Sequence, residues 1–215
     1  MPNNSLTFND LKNRKNINLY LGTLTSPVFA RNTIYYNGVS NEVLNSYNIF
    51  HNITERFDLD DNCVDVIQSE DVFEHIEYET LLPVLNELYR ILKPNGYLRL
   101  SVPDYRCDIL KERCEYNENG EIIFDKGGDG NYDYTTKKVI NGGHVWFPIY
   151  ESVKKLLEQT RFDCKFLHYY DENGVGILHD IDHSKGYIDR TPEHDERVSN
   201  PRRPLSIVVD CYKSV

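Results

Sequence analysis

Between residues 64 and 102 the chain spells strand, helix, strand, and that order permits little besides a parallel sheet. Val64-Asp65-Val66-Ile67-Gln68 is short and β-branched, with Asp61-Asn62 ahead of it, the pattern of a buried parallel strand. Leu81, Leu82, Leu85, Leu88 and Leu92 then recur on one face of a ~3.6-residue period. Pro83 is tolerated in a first turn, which sets the helix start near Thr80, and Lys93-Pro94-Asn95-Gly96 ends it. Tyr97 to Val102 reads as the next strand, stopped by Pro103. A crossover of this length joins parallel strands with a right-handed sense. It is the building block of a doubly wound α/β sheet.

The flanking sequence extends that sheet on both sides. Ile17 to Gly22, Thr33 to Tyr36 and Tyr47 to Phe50 are β-prone runs closed by turn residues, as are Cys164 to Tyr170 and Ser206 to Tyr212. Ile149, Val153, Leu156 and Leu157 mark a short amphipathic helix. The expected architecture is a Rossmann-like, mostly parallel sheet with an antiparallel final strand and helices on both faces. No linker divides the 215 residues, so one domain over 1–215 is expected. Residues 105–147 and 171–204 are long polar inserts, and the first holds one ambiguous apolar run, Glu121 to Phe124. Long loops of this kind are commonly functional.

Composition removes several classes of function. The net charge of −10, without any Lys/Arg run, argues against nucleic-acid binding. No stretch approaches the ~20 apolar residues of a membrane span, and the polar start offers no signal-peptide core. Five cysteines without C-x-x-C spacing suit a reducing compartment, so a cytoplasmic location is expected.

The stretch from Asp60 to Asp104 carries a more specific pattern, in which Val64-Asp65-Val66-Ile67 is followed by Glu74-His75-Ile76, then Leu92-Lys93-Pro94-Asn95-Gly96 and Val102-Pro103-Asp104. It resembles the small class I S-adenosylmethionine-dependent methyltransferases of the type-11-like group. The tail, from Gly143-His144 through Tyr169 to Gly174 and on to Lys213, resembles a subgroup associated with glycan and polysaccharide synthesis. The resemblance implies S-adenosylmethionine as cofactor, O-methylation as the reaction and a sugar or glycan hydroxyl as acceptor. The sequence departs from the family at the loop after the first strand, where Leu19-Tyr20-Leu21-Gly22-Thr23-Leu24-Thr25 keeps a single glycine. The acidic residue expected after the second strand is missing, with Asn37 the nearest polar candidate, and Asn52 replaces the one after the third.

On that resemblance Tyr20, Gly22, Asn37, Asn52, Ile53, Ser69 and Glu70 are the expected cofactor residues, and Asp71, His75, Asp104 and His144 the expected catalytic ones. A sugar hydroxyl is a poor nucleophile near neutral pH, so a base is needed, and His144 and Asp104 are the candidates. Trp146 is a candidate to stack on a sugar face. Asp71, Glu74 and His75 have the spacing of one helix face, which admits a divalent ion, although none is expected. His179, His183, His194 and the acids among them read as a solvated lid, and Arg190, Arg197, Arg202 and Arg203 are candidates to meet an acidic acceptor or a phosphate. Two rivals stay open: a catalytically inactive binding or scaffold protein on the same fold, which the thinned glycine loop favours, and a nucleotide-sugar or NAD-type enzyme on a related Rossmann sheet. The absent G-x-G-x-x-G argues against the second.

Overall fold

The computed structural model describes residues 5–24, 35–42 and 45–214. Five strands run parallel: β1 (Asn18–Leu21), β2 (Asn37–Ser40), β3 (Asn48–Phe50), β4 (Val64–Glu70) and β5 (Leu92–Pro103). β12 (Ser206–Tyr212) lies antiparallel against β5 and carries β10 (Asp163–Tyr170) and then β11 (Gly176–Leu178). The order across the sheet is β11-β10-β12-β5-β4-β1-β2-β3. β5 and β4 sit at its centre with β1 beside β4, and the carboxyl ends of these parallel strands open on one edge, where ligands bind in sheets of this kind.

Helix α1 (Tyr78–Ile91) buries Leu81, Val84, Leu85, Leu88 and Ile91 against one face of the sheet. It starts two residues before Thr80, so Pro83 falls in its second turn. Helix α3 (Tyr150–Leu157) adds Val153, Leu156 and Leu157 to the same core, which includes Leu19, Ile67, Leu98, Leu100, Ile207 and Val209.

The expectation of helices on both faces is met differently on the other side. Among the described residues, that face is covered by part of the second insert. Residues 182–190 cross it as a strap: Arg99 donates to the carbonyls of Asp182 (2.8 Å) and Gly186 (2.6 Å), Gln68 to Tyr187 O, and Tyr97 to Lys185 O. Arg99 is fully buried and also makes a double hydrogen bond to Asp210, at 2.7 and 2.8 Å. Polar side chains on this face are thus spent on the backbone carbonyls of the strap, whose internal hydrogen bonding is one short 3-10 turn, His183–Lys185.

Two further readings shift. The second strand is Asn37–Ser40 rather than 33–36; Thr33 and Ile34 lie outside the described residues, and Tyr36 packs as a buried residue just before the strand. The first insert is ordered as well. It holds helix α2 (Asp108–Arg113), a hairpin of β6 (Cys114–Tyr116) with β7 (Ile122–Asp125), and another of β8 (Asn131–Asp133) with β9 (Lys138–Ile140).

Candidate active site

A cleft of about 630 Å³ opens at the carboxyl edge of β1 to β4. Gly22 and Thr23 line it after β1, Ser40 to Glu42 after β2, His51 to Thr54 after β3, and Asp71, Val72, His75 and Ile76 after β4. A smaller chamber of about 150 Å³ adjoins it, sharing Asp71, His75 and Asp129, and is lined also by His144, Arg113, Arg190 and Ser206.

Three of the seven expected cofactor residues line the larger cleft: Gly22, Asn52 and Ile53. Gly22 has φ +130°, and a Cβ there would lie 3.0 Å from the Tyr20 ring and 3.5 Å from Val72, so glycine is required at this turn. Tyr20 supports the turn from beneath rather than lining the cleft. Asn52 turns its oxygen to Thr54, accepting from its amide (3.1 Å) and its hydroxyl (2.9 Å). Thr25, the last residue of the thinned loop, lies outside the described residues.

Asn37 is a correction. It begins β2, so it stands at the amino edge, away from the cleft; it accepts from Arg14 (2.9 Å) and donates to Asn18 O (3.0 Å). An acidic residue on the cleft wall that the sequence reading missed is Glu42, two residues past the end of β2. Placing the strand four residues early hid it. Ser69 is fully buried and lines neither cavity. Glu70 accepts the strap amides of Asp189 (3.2 Å) and Arg190 (2.9 Å), and burial, helped by the Asp71 charge, pushes its carboxyl up to about 8.

Of the expected catalytic residues, Asp71, His75 and His144 converge on the chamber and Asp104 does not. Asp104 is buried where β5 ends and accepts from the backbone of Arg106 (3.0 Å) and Tyr170 (2.7 Å). Burial outweighs those two bonds and lifts its carboxyl to about 6. Asp71 adopts φ +53° ahead of a single 3-10 turn, Phe73–His75, so Asp71, Glu74 and His75 do not share a helix face. Asp71 instead pairs with Arg190 at 2.8 Å.

His144 is held by a chain of groups from the first insert. Arg113 pairs with Asp125 at 2.6 Å, and the Tyr105 hydroxyl donates to Asp125 at 2.5 Å. That phenol has given up its one hydrogen, so it accepts from His144 Nδ1, which leaves the lone pair of that imidazole on Nε2. Burial opposes ionisation of Asp125, but hydrogen bonds from His144, Tyr105 and Arg113 hold it below the usual carboxylate range. Tyr105, Asp125 and Arg113 escaped the sequence reading, because nothing local marks a loop acid as the anchor of a distant histidine. Glu74 is fully buried 3.7 Å from His144 Nε2; burial and then the Asp71 charge push it well above the usual carboxylate range.

Trp146 donates to Phe73 O at 2.8 Å and packs on Tyr78, so it braces the turn and is not presented to a sugar. The four candidate arginines are all paired within the chain: Arg190 with Asp71, Arg197 with Asp195, Arg202 with Glu193 and Arg203 with Asp108. All five cysteines are free. Among the described residues no helix is long and apolar enough to cross a membrane.

Residues 28–100, about a third of the chain, match a family model described as a methyltransferase domain. No curated protein matches the chain in sequence. Among solved structures it is similar to an S-adenosylmethionine-dependent methyltransferase from Methanosarcina mazei, at 13% identity and a TM-score of 0.50 over 97% of each chain. It is also similar to one from Thermotoga maritima, at 14% identity and a TM-score of 0.53 over 94% of this chain and 83% of that one. In strand order and overall course the chain has the Rossmann-like fold of the class I S-adenosylmethionine-dependent methyltransferases, with a methyltransferase-domain match over residues 28–100.

Proposed function

We propose that this chain transfers the methyl group of S-adenosylmethionine to a hydroxyl of a sugar or glycan, in the cytoplasm. The observation that carries the reading is the pair of joined cavities at the carboxyl edge, one of cofactor size and one of acceptor size. At about 630 Å³ the larger lies within the usual range for small-molecule sites. Its residues fit the cofactor. Glu42 would accept from a ribose diol, Ile53 and Val72 offer apolar surface to the adenine, and the Asn52 amide hydrogens serve as donors. Gly22 lets the backbone come close where a side chain would intervene.

When bound, S-adenosylmethionine supplies an electrophilic methyl carbon, so the protein has to align an acceptor, exclude water and manage one proton. Asp71 and His75, on the wall shared by the two cavities, stand where cofactor and acceptor meet. Asp129, Arg190 and Ser206 give the chamber the polar lining that a polyhydroxyl acceptor uses. The acceptor oxygen is handled by the group around His144, whose Nε2 keeps its lone pair. The glycan preference rests on the resemblance of the tail, and the cytoplasmic location on the free cysteines. An intact cleft with a carboxylate after β2 favours a working enzyme over a scaffold.

The test is calorimetric titration with S-adenosylhomocysteine, followed by transfer of labelled methyl to a panel of sugars. Saturable binding at about micromolar concentration is expected. His144→Ala should keep that affinity while losing about 10²–10⁴-fold in turnover. A well-folded chain that ignores S-adenosylhomocysteine would sink the reading.

A further inference from the structure

The Glu74 carboxylate is fully buried, and among the described residues neither of its oxygens accepts a hydrogen bond. A buried carboxylate left in that state is costly, so a positive partner is expected to complete it. The groups within reach are imidazoles. His144 Nε2 lies 3.7 Å from Glu74 Oε1, and the His75 ring stands 4.6 Å from the His144 ring at an angle of 82°. One donor atom from each of Glu74, His75 and His144 lies within 4.8 Å of the other two.

Both imidazoles are held in the way that metal ligands are held. His75 donates from Nδ1 to the Gly142 carbonyl at 2.6 Å, and His144 from Nδ1 to the Tyr105 oxygen, itself anchored on Asp125. Each ring therefore keeps its lone pair on Nε2, with the other nitrogen fixed by an outer acceptor. The backbone holds the two segments together: Val145 N donates to Glu74 O at 2.9 Å. Gly128 lies flat against the His144 ring, where a Cβ would come within 2.7 Å.

We infer that Glu74, His75 and His144 form a binding site for a divalent first-row transition ion. Two imidazoles and one carboxylate are the donor set of catalytic Zn²⁺ centres, and one that Fe²⁺ and Mn²⁺ also accept. His75 and His144 line the smaller chamber, so the remaining coordination positions open on the space assigned to the acceptor. An acceptor oxygen bound there would be oriented and polarised, and His144, its Nε2 lone pair then on the ion, would act on that oxygen through the ion in place of taking its proton directly. That use of the ion rests on the methyl-transfer reading, whereas binding of the ion does not.

The experiment titrates the chelator-treated full chain with Zn²⁺, read by calorimetry and by melting temperature. One equivalent is expected to bind and to raise the melting temperature, with affinity at least ~10-fold weaker in His75→Ala and His144→Ala. His194→Ala, which removes one ring of the separate His183–His194 pair, should bind as the parent does. Glu74→Gln should lose the Zn²⁺ response yet melt no lower than the parent without metal, because it replaces a buried acid that has no hydrogen-bond partner with a neutral amide of the same shape; a merely structural Glu74 would melt lower. Absence of saturable Zn²⁺ binding in a chain that still binds S-adenosylhomocysteine overturns the site and spares the methyl-transfer reading, as does binding indifferent to His75→Ala and His144→Ala. Zn²⁺ binding without S-adenosylhomocysteine binding keeps the site and sinks that reading.

Discussion

Asn37 and Glu42 show how far one residue's role depends on where a strand stops. Both are polar, close in sequence and attached to β2, yet Asn37 ties down the amino edge and Glu42 reaches the ligand cleft. The sequence shows which residue types are present, but the edge on which each one emerges is set by the register Leu19↔Asn37 and Leu21↔Val39, which arises only on pairing. The same limit explains the other site assignments. His75 and His144 were legible because imidazoles stood at the ends of recognisable elements. Asp104 carries an equally catalytic-looking position but is consumed by two backbone amides, which no local pattern announces. The roles can be separated by substitution. Charge-assisted hydrogen bonds contribute about 1.5–3 kcal/mol each, so Glu42→Gln should weaken S-adenosylhomocysteine binding by about 10–100-fold. Its carboxylate is exposed, so the melting temperature should hold. Asn37→Ala should do the reverse, leaving affinity intact and costing about 1 kcal/mol of stability. Equal affinities for Glu42→Gln and the parent would remove Glu42 from the cofactor site.

At the scale of elements, the parts with strong periodicity were legible and the parts held by isolated polar contacts were not. β4, α1, β5, α3, β10 and β12 follow from β-branched runs and a leucine stripe, because each buries an apolar face in one shared core. The two hairpins of the first insert and the strap of the second have no such stripe. Their order comes from long-range bonds such as Arg99 to the carbonyls of Asp182 and Gly186, across more than 80 residues of chain. The strap therefore depends on a buried ion pair. Removing Arg99 leaves Asp210 nearly inaccessible without its ion-pair partner, and takes one hydrogen bond from each of the Asp182 and Gly186 carbonyls. Breaking a buried pair from one side costs about 3–5 kcal/mol, so Arg99→Met should lose that much in denaturant unfolding. It should also expose residues 182–190 to limited proteolysis before the rest of the sheet. A strap that stayed resistant in a destabilised Arg99→Met variant would mean that its other contacts suffice.

Over the whole molecule, the strap is also the route by which the far face reaches the site. Residues 182–190 cross the sheet, end on Glu70 at the carboxyl edge and deliver Arg190 to Asp71 on the cleft wall. Glu70 is where this arrangement meets solvent pH. Burial, then the charges of Asp71 and Asp189, push its carboxyl up to about 8 against the two amides it accepts, with the Tyr20 ring alongside. An unfolded glutamate titrates near ~4.3, so the folded chain holds this proton the more tightly. Its contribution to stability is complete below about pH 4, declines as pH rises, and is gone once pH passes about 8. Melting temperatures measured in chelator between about pH 6 and pH 8 should therefore fall with rising pH. Glu70→Gln mimics the neutral acid without the ability to ionise, so it should already melt higher than the parent near pH 6, and the gap should widen by pH 8. Glu74 is also raised, chiefly by burial and the Asp71 charge and least by Glu70, so most of its slope is common to both proteins. Parallel melting curves for parent and variant across that range would show that Glu70 is ionised throughout. The strap would then be held by a charge at the edge of the cleft, and Arg190 would have to answer to two carboxylates there instead of one.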